Sequence, residues 1–175
     1  PAINELREGL GEAPLHASDL FAPSLDLPLP PAAPGARSLG PRPVDLAVLR
    51  QRFQQALLAW FRGQPGEPPP AALIEVLDIL AARCSSERAR RLWWIAAGVL
   101  DGLAQGAFAD ADGELRRLLG RLDLSIRSLA ERGEDALSAD EDALARKLLY
   151  FAAEAGGRTP RLDEVRRIYR LDGEP

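Results

Sequence analysis

From residue 43 onward apolar residues recur at every third or fourth position, the spacing that gathers them on one face of an α-helix. Leu46, Leu49, Phe53, Ala56, Leu57 and Trp60 make the first stripe, and Gly63, Pro65 and Gly66 stop it. The run Pro68–Pro70 suits the start of a second helix, because a first-turn proline loses no hydrogen bond. Leu73, Ile74, Leu77 and Leu80 carry that helix's stripe. Ser85 or Ser86 is placed to cap a third helix, whose apolar face is Leu92, Ile95, Ala96, Val99 and Leu103. Gly106 and the acidic stretch Asp110 to Asp112 mark the next break. Leu115, Leu118, Leu119, Leu122, Ile126 and Leu129 form the cleanest stripe, and Gly133 stands where a C-terminal cap is expected. Ser138 and Glu141 match a capping box in front of Leu144, Leu148 and Phe151. Gly156 and Gly157 end that helix, and Thr159 followed by Pro160 starts a short last one with Val165, Ile168 and Tyr169. No stretch alternates apolar and polar residues long enough for a sheet, and no fixed period repeats. The pattern predicts an all-α fold, an antiparallel helical bundle of five or six helices over residues 44–172.

The region before the bundle reads differently. Thirteen of the 15 prolines lie at or before Pro70. Dense proline excludes regular helix, so residues 22–43 are expected to be extended or irregular. Yet Leu15, Leu20, Phe21, Leu25, Leu27 and Leu29 are too many large apolar groups for a free linker. The expectation is a Pro-rich extended segment over residues 1–43 that packs along the helical body. A flexible interdomain linker is the competing reading. The chain begins at Pro1 and has no methionine, which reads as a piece of a longer protein.

Composition narrows the function classes. At 175 residues, with 46% apolar and 27% charged residues, the chain has room for one sizeable core and is not wholly disordered. Its net charge of −4 and pI near 5.2 argue against general nucleic-acid binding. Lys147 is the one lysine among 22 basic residues, and the arginines are dispersed among acids as on a solvated surface. No apolar run approaches the roughly 20 residues of a membrane span, and no signal peptide is visible. Cys84 alone forms no internal disulfide, which makes the cytoplasm the default compartment.

Candidate chemistry is sparse. His16 is unique, but Ala17, Ser18, Asp19 and Leu20 follow it, and it precedes the bundle. A phosphotransfer histidine sits on a bundle helix with Lys and Gly just after it. Cys84 has Arg83 beside it but no nearby base, and reads as a small packing residue. Acids gather at helix starts: Asp110, Asp112 and Glu114; Glu134 and Asp135; Asp140, Glu141 and Asp142. There they offset the helix dipole, and the run at 110–114 lacks the later ligands of a calcium loop. Phosphate-binding glycine loops, nucleophile elbows and zinc motifs are absent. The sequence therefore supplies no catalytic, cofactor-binding or metal-ligating set. Trp93 and Trp94, beside Arg90 and Arg91, remain. Adjacent tryptophans point about 100° apart on a helix. Either the helix is covered on more than one side, or part of this group faces the Pro-rich segment or a partner.

Three stretches together resemble a known family: LREGLGEAPLHASDLFAPSLDLPLP at 6–30, LRQRFQQALLAWFRG at 49–63 with ERARRLWWIAAGVLDGLAQGAF at 87–108, and ARKLLYFAAEAGGRTPRLDEVRRIYRLD at 145–172. They resemble the N-terminal region of the chemotaxis-type hybrid histidine kinases of type IV pili and the related FimL-like scaffolds. The matching residues are apolar and structural: Leu20, Phe21, Trp60, Leu92, Trp93, Trp94, Leu148, Leu149, Tyr150 and Tyr169. The His-x-x-Lys-Gly phosphoacceptor motif is missing. The resemblance implies a non-catalytic scaffold in twitching-motility signalling, at the cell pole. It implies response regulators of that pathway and a polar peptidoglycan-binding hub as partners. A phosphotransfer domain using His16, a small all-α enzyme and a dimerisation or spacer domain are the rival readings.

Overall fold

In a computed structural model the described residues are 23–25, 45–64 and 66–171. They form six α-helices: α1 (Leu46–Arg62), α2 (Ala71–Arg83), α3 (Glu87–Ala104), α4 (Glu114–Arg132), α5 (Ala139–Glu154) and α6 (Pro160–Ile168). A 3-10 turn, Glu134–Ala136, joins α4 to α5. No strand occurs among the described residues, so the all-α expectation holds.

The ends are set by local chemistry. Asp45 caps α1 by accepting from the amides of Ala47 and Val48. Ser86, rather than Ser85, caps α3 through its hydroxyl. The capping box at Ser138 and Glu141 forms in full, and Thr159 caps α6 with Pro160 in its first turn. The second helix starts at Ala71, with Pro70 as its cap residue. Gly133 closes α4 at φ 83°, a value that favours glycine.

The bundle is built around α3. Ala89, Leu92, Trp93, Ile95, Ala96, Ala97, Val99 and Leu100 are all fully buried, far more than the single stripe the periodicity marks. α2, α5 and α6 cover it, while α1 packs on α2 and α4, and α4 on α1 and α5. α6 sits close to α3 because Gly98 and Gly102, four residues apart, leave room for Val165 and Leu162. Arg161 of α6 grips Asp78 of α2 with two guanidinium bonds, at 2.5 and 3.2 Å. Leu25, from the Pro-rich stretch, is buried with the core. His16 and the rest of residues 22–43 lie outside the described residues.

Candidate functional site

The four residues singled out at the start of α3 separate in the structure. Trp93 is fully buried, and its indole Nε1–H donates to Cys84 Sγ at 3.3 Å. Trp94 lies half-buried against Tyr169, with ring centroids 6.2 Å apart. The Arg91 side chain is only 11% exposed and pairs with Asp142 at 3.4 Å. Asp142 also accepts from Arg88, Nε at 3.1 Å and Nη2 at 3.0 Å. Burial opposes the Asp142 charge, but the guanidiniums of Arg88 and Arg91 outweigh it and hold the carboxyl below its ordinary value. Trp93 and Arg91 thus pin α3 to its neighbours in the folded chain. Trp94 and Arg90, both half-buried, keep part of their surface.

The remaining candidates take structural places. Burial pushes the Cys84 thiol up to about 11, and neither the Trp93 bond nor Arg90 reverses it. A thiol held protonated is a poor nucleophile. Asp110 accepts from the amides of Leu115 and Arg116, and Asp112 from that of Glu114. Glu134 reaches across the fold and accepts from the amides of Ser85 and Ser86, capping α3 from the 3-10 turn. No group of three metal-ligating side chains occurs among the described residues.

A surface that the apolar stripes do not mark lies between α1 and α4. The helices run antiparallel: Arg50 and Gln54 of α1 both donate to Asp123 of α4, at 3.1 and 3.5 Å, and the Arg116 guanidinium lies 4.9 Å above the Trp60 ring. Asp123 is 6% exposed. Its charge is tolerable there because Arg50 partners it; an isolated buried carboxylate would cost several kcal/mol. Beside this pair Ala47, Gln51, Arg127, Ala130 and Glu131 help line a shallow groove of about 170 Å³.

Further residues of both helices stand at helical spacing from the groove's lining. Gln54, Leu58 and Phe61 follow at helical spacing on α1, and Gly120, Leu124 and Arg127 on α4. Leu58, Phe61 and Leu124 are 47%, 43% and 55% exposed. With Val48 of α1 they are the exposed large hydrophobics of the described residues, so all of these lie on α1 and α4. Sequence reading missed this surface because it sought the strongest apolar stripe on each helix. The available signal was a second, weaker stripe at Gln54, Leu58 and Phe61 on a helix with no acid.

Residues 40–175 match the family described as FimL scaffold protein second domain. The chain belongs to the FimL scaffold family. This FimL-family domain is 29% identical over 176 residues to the scaffold protein FimL of Pseudomonas aeruginosa. The alignment covers 98% of the domain and 30% of that protein, so the chain spans under a third of the length of the curated relative it matches. No solved structure matches the FimL-family domain. Among its described residues no helix is long and apolar enough to cross a membrane.

Proposed function

We propose that this FimL-family domain is a non-catalytic scaffold module of a type IV pilus chemosensory pathway, acting in twitching-motility signalling through protein–protein contacts. The observation that carries the reading is the family match over residues 40–175, joined to an alignment with a scaffold protein across nearly the whole chain. The side chains with chemical potential support it. Cys84 is held protonated, Asp142 and Asp123 are taken up by arginines, and the other acids largely cap helices. The domain works beside the kinase machinery of the pathway, in the cytoplasm at the cell pole. Its partners are the pathway's response regulators and a polar peptidoglycan-binding hub.

Calorimetric titration of the chain with each regulator and with the hub tests this, using wild type and His16→Ala. Saturable binding that the substitution leaves unchanged is expected. Phosphate incorporation that His16→Ala abolishes would replace the scaffold reading by phosphotransfer. No binding to any of these proteins, with a mass that grows with concentration, would replace it by a dimerisation domain.

A further inference from the structure

We infer that the exposed face shared by α1 and α4 docks an acidic, amphipathic segment of a partner protein. This rests on the scaffold reading and adds a place and a chemistry to it. The apolar part is Leu58 and Phe61 on α1 and Leu124 on α4, exposed large side chains at helical spacing from the groove's Gln54 and Arg127. A Cβ added at Gly120, one turn before Leu124, would meet nothing within 4 Å, so the surface beside Leu124 is open. A groove between two antiparallel helices is the seat in which a third helix lays its apolar face.

Charge names the occupant. The chain as a whole carries −4. On α1 and α4 the exposed charged residues that share the side of Leu58 and Leu124 are Arg62, Arg117 and Arg127, against Glu131. Arg127 meets Glu131 at 3.0 Å in solvent, where such a pair contributes little, and Arg62 and Arg117 leave the field of the face positive. A basic rim around an apolar strip is complementary to acids flanking apolar anchors, and its field speeds the encounter with such a segment. A bilayer fits less well. Interfacial helices bury a continuous apolar face, whereas Gln51, Gln54 and Glu131 interrupt this one.

The test is site-specific photocrosslinking in the native cell, with the photoreactive residue at Leu58, at Leu124, or at exposed Asp140 on α5. Mass spectrometry then reads the crosslinked peptide. Leu58 and Leu124 are expected to capture one partner protein through a peptide of net negative charge with apolar residues at helical spacing. Arg62→Glu with Arg117→Glu should lower that capture at least about tenfold, while circular dichroism shows the helices intact. Capture of a neutral or basic peptide, of lipid, of a second copy, or of this chain's own residues 1–22 would overturn the proposal. So would a partner captured only from Asp140, an outcome that leaves the scaffold reading standing. No capture from any of the three positions would overturn the docking proposal and leave the scaffold reading to the calorimetric titration.

Discussion

Arg166 shows how much one buried cation can organise when three backbone carbonyls and the Asp163 carboxylate share its guanidinium. Its side chain is 6% exposed, and it donates to the carbonyls of Ala152 at 2.8 Å, of Ala155, and of Gly157 at 3.1 Å. These are the acceptors left open at the end of α5, so a residue of α6 closes the helix before it. Arg166→Lys is expected to cost about 2 to 4 kcal/mol, because an ammonium cannot span three carbonyls as a planar guanidinium does. Urea unfolding of the two proteins measures this, and a loss below about 0.5 kcal/mol would show that water replaces the bonds. Cys84 makes the second prediction at this scale. With the thiol pushed from 9.0 to about 11, disulfide-exchange labelling at pH 8 should run ~100-fold slower than for a free cysteine. The rate should keep rising past pH 10, and a plateau near pH 9 would contradict the burial argument. The packing role of Cys84 was legible in the sequence, where no base stands near it; that of Arg166 was not. An arginine on a short helix reads as solvated, and although Asp163 stands three residues before it, the carbonyls that Arg166 closes are ones no side-chain pattern displays.

Between elements, two joints decide how the bundle closes. The first is Glu134, which caps α3 from the turn after α4. Burial opposes its charge, but the amides of Ser86 and Ser85 outweigh it and hold the carboxyl below its usual value. A depressed carboxylate contributes stability above its unfolded value of about 4.5 and loses it as pH falls through the folded one. Glu134→Ala should therefore cost about 1 kcal/mol at neutral pH. Its difference from wild type should shrink as the solution is acidified below that value; a difference constant with pH would assign the loss to packing. The second joint is the seat of α6. A Cβ at Gly98 would come within 2.7 Å of Val165 Cγ2, and Val165 is stiff at χ1. Gly98→Ala is expected to destabilise by about 1 to 2 kcal/mol despite the better helix propensity. Gly120→Ala, with open space around it, should stabilise by about 0.5 to 1 kcal/mol. Opposite shifts in thermal midpoint check the pair. Caps and stripes such as Ser138–Glu141 and Leu115–Leu129 were readable because they are local. The glycine seat was not, since only the approach of α6 gives Gly98 and Gly102 their meaning.

On the scale of the whole molecule, the core and the candidate docking face respond to different forces. Leu58→Ser with Leu124→Ser should change unfolding free energy by under about 0.5 kcal/mol per site, because both leucines are about half exposed. Leu119→Ala, fully buried on the same helix as Leu124, should cost about 2 to 5 kcal/mol. A large loss in the surface double variant would mean that the strip is covered in the free chain. The bundle was legible because its apolar spacing repeats along each helix. The docking face was not, because it exists only where α1 and α4 meet, and Arg50 and Asp123 stand 73 residues apart. That separation also sets a clock. Chains are synthesised at about 5 to 20 residues per second, so α1 waits roughly 4 to 15 seconds in the nascent chain before its partner helix is made. During that interval α2 is the neighbour it has, and Phe53, Leu57 and Trp60 stay partly open. The surface assigned to partner recognition thus exists only once α4 has been made, and a ribosome-bound chain stopped before α4 should bind a chaperone rather than the partner.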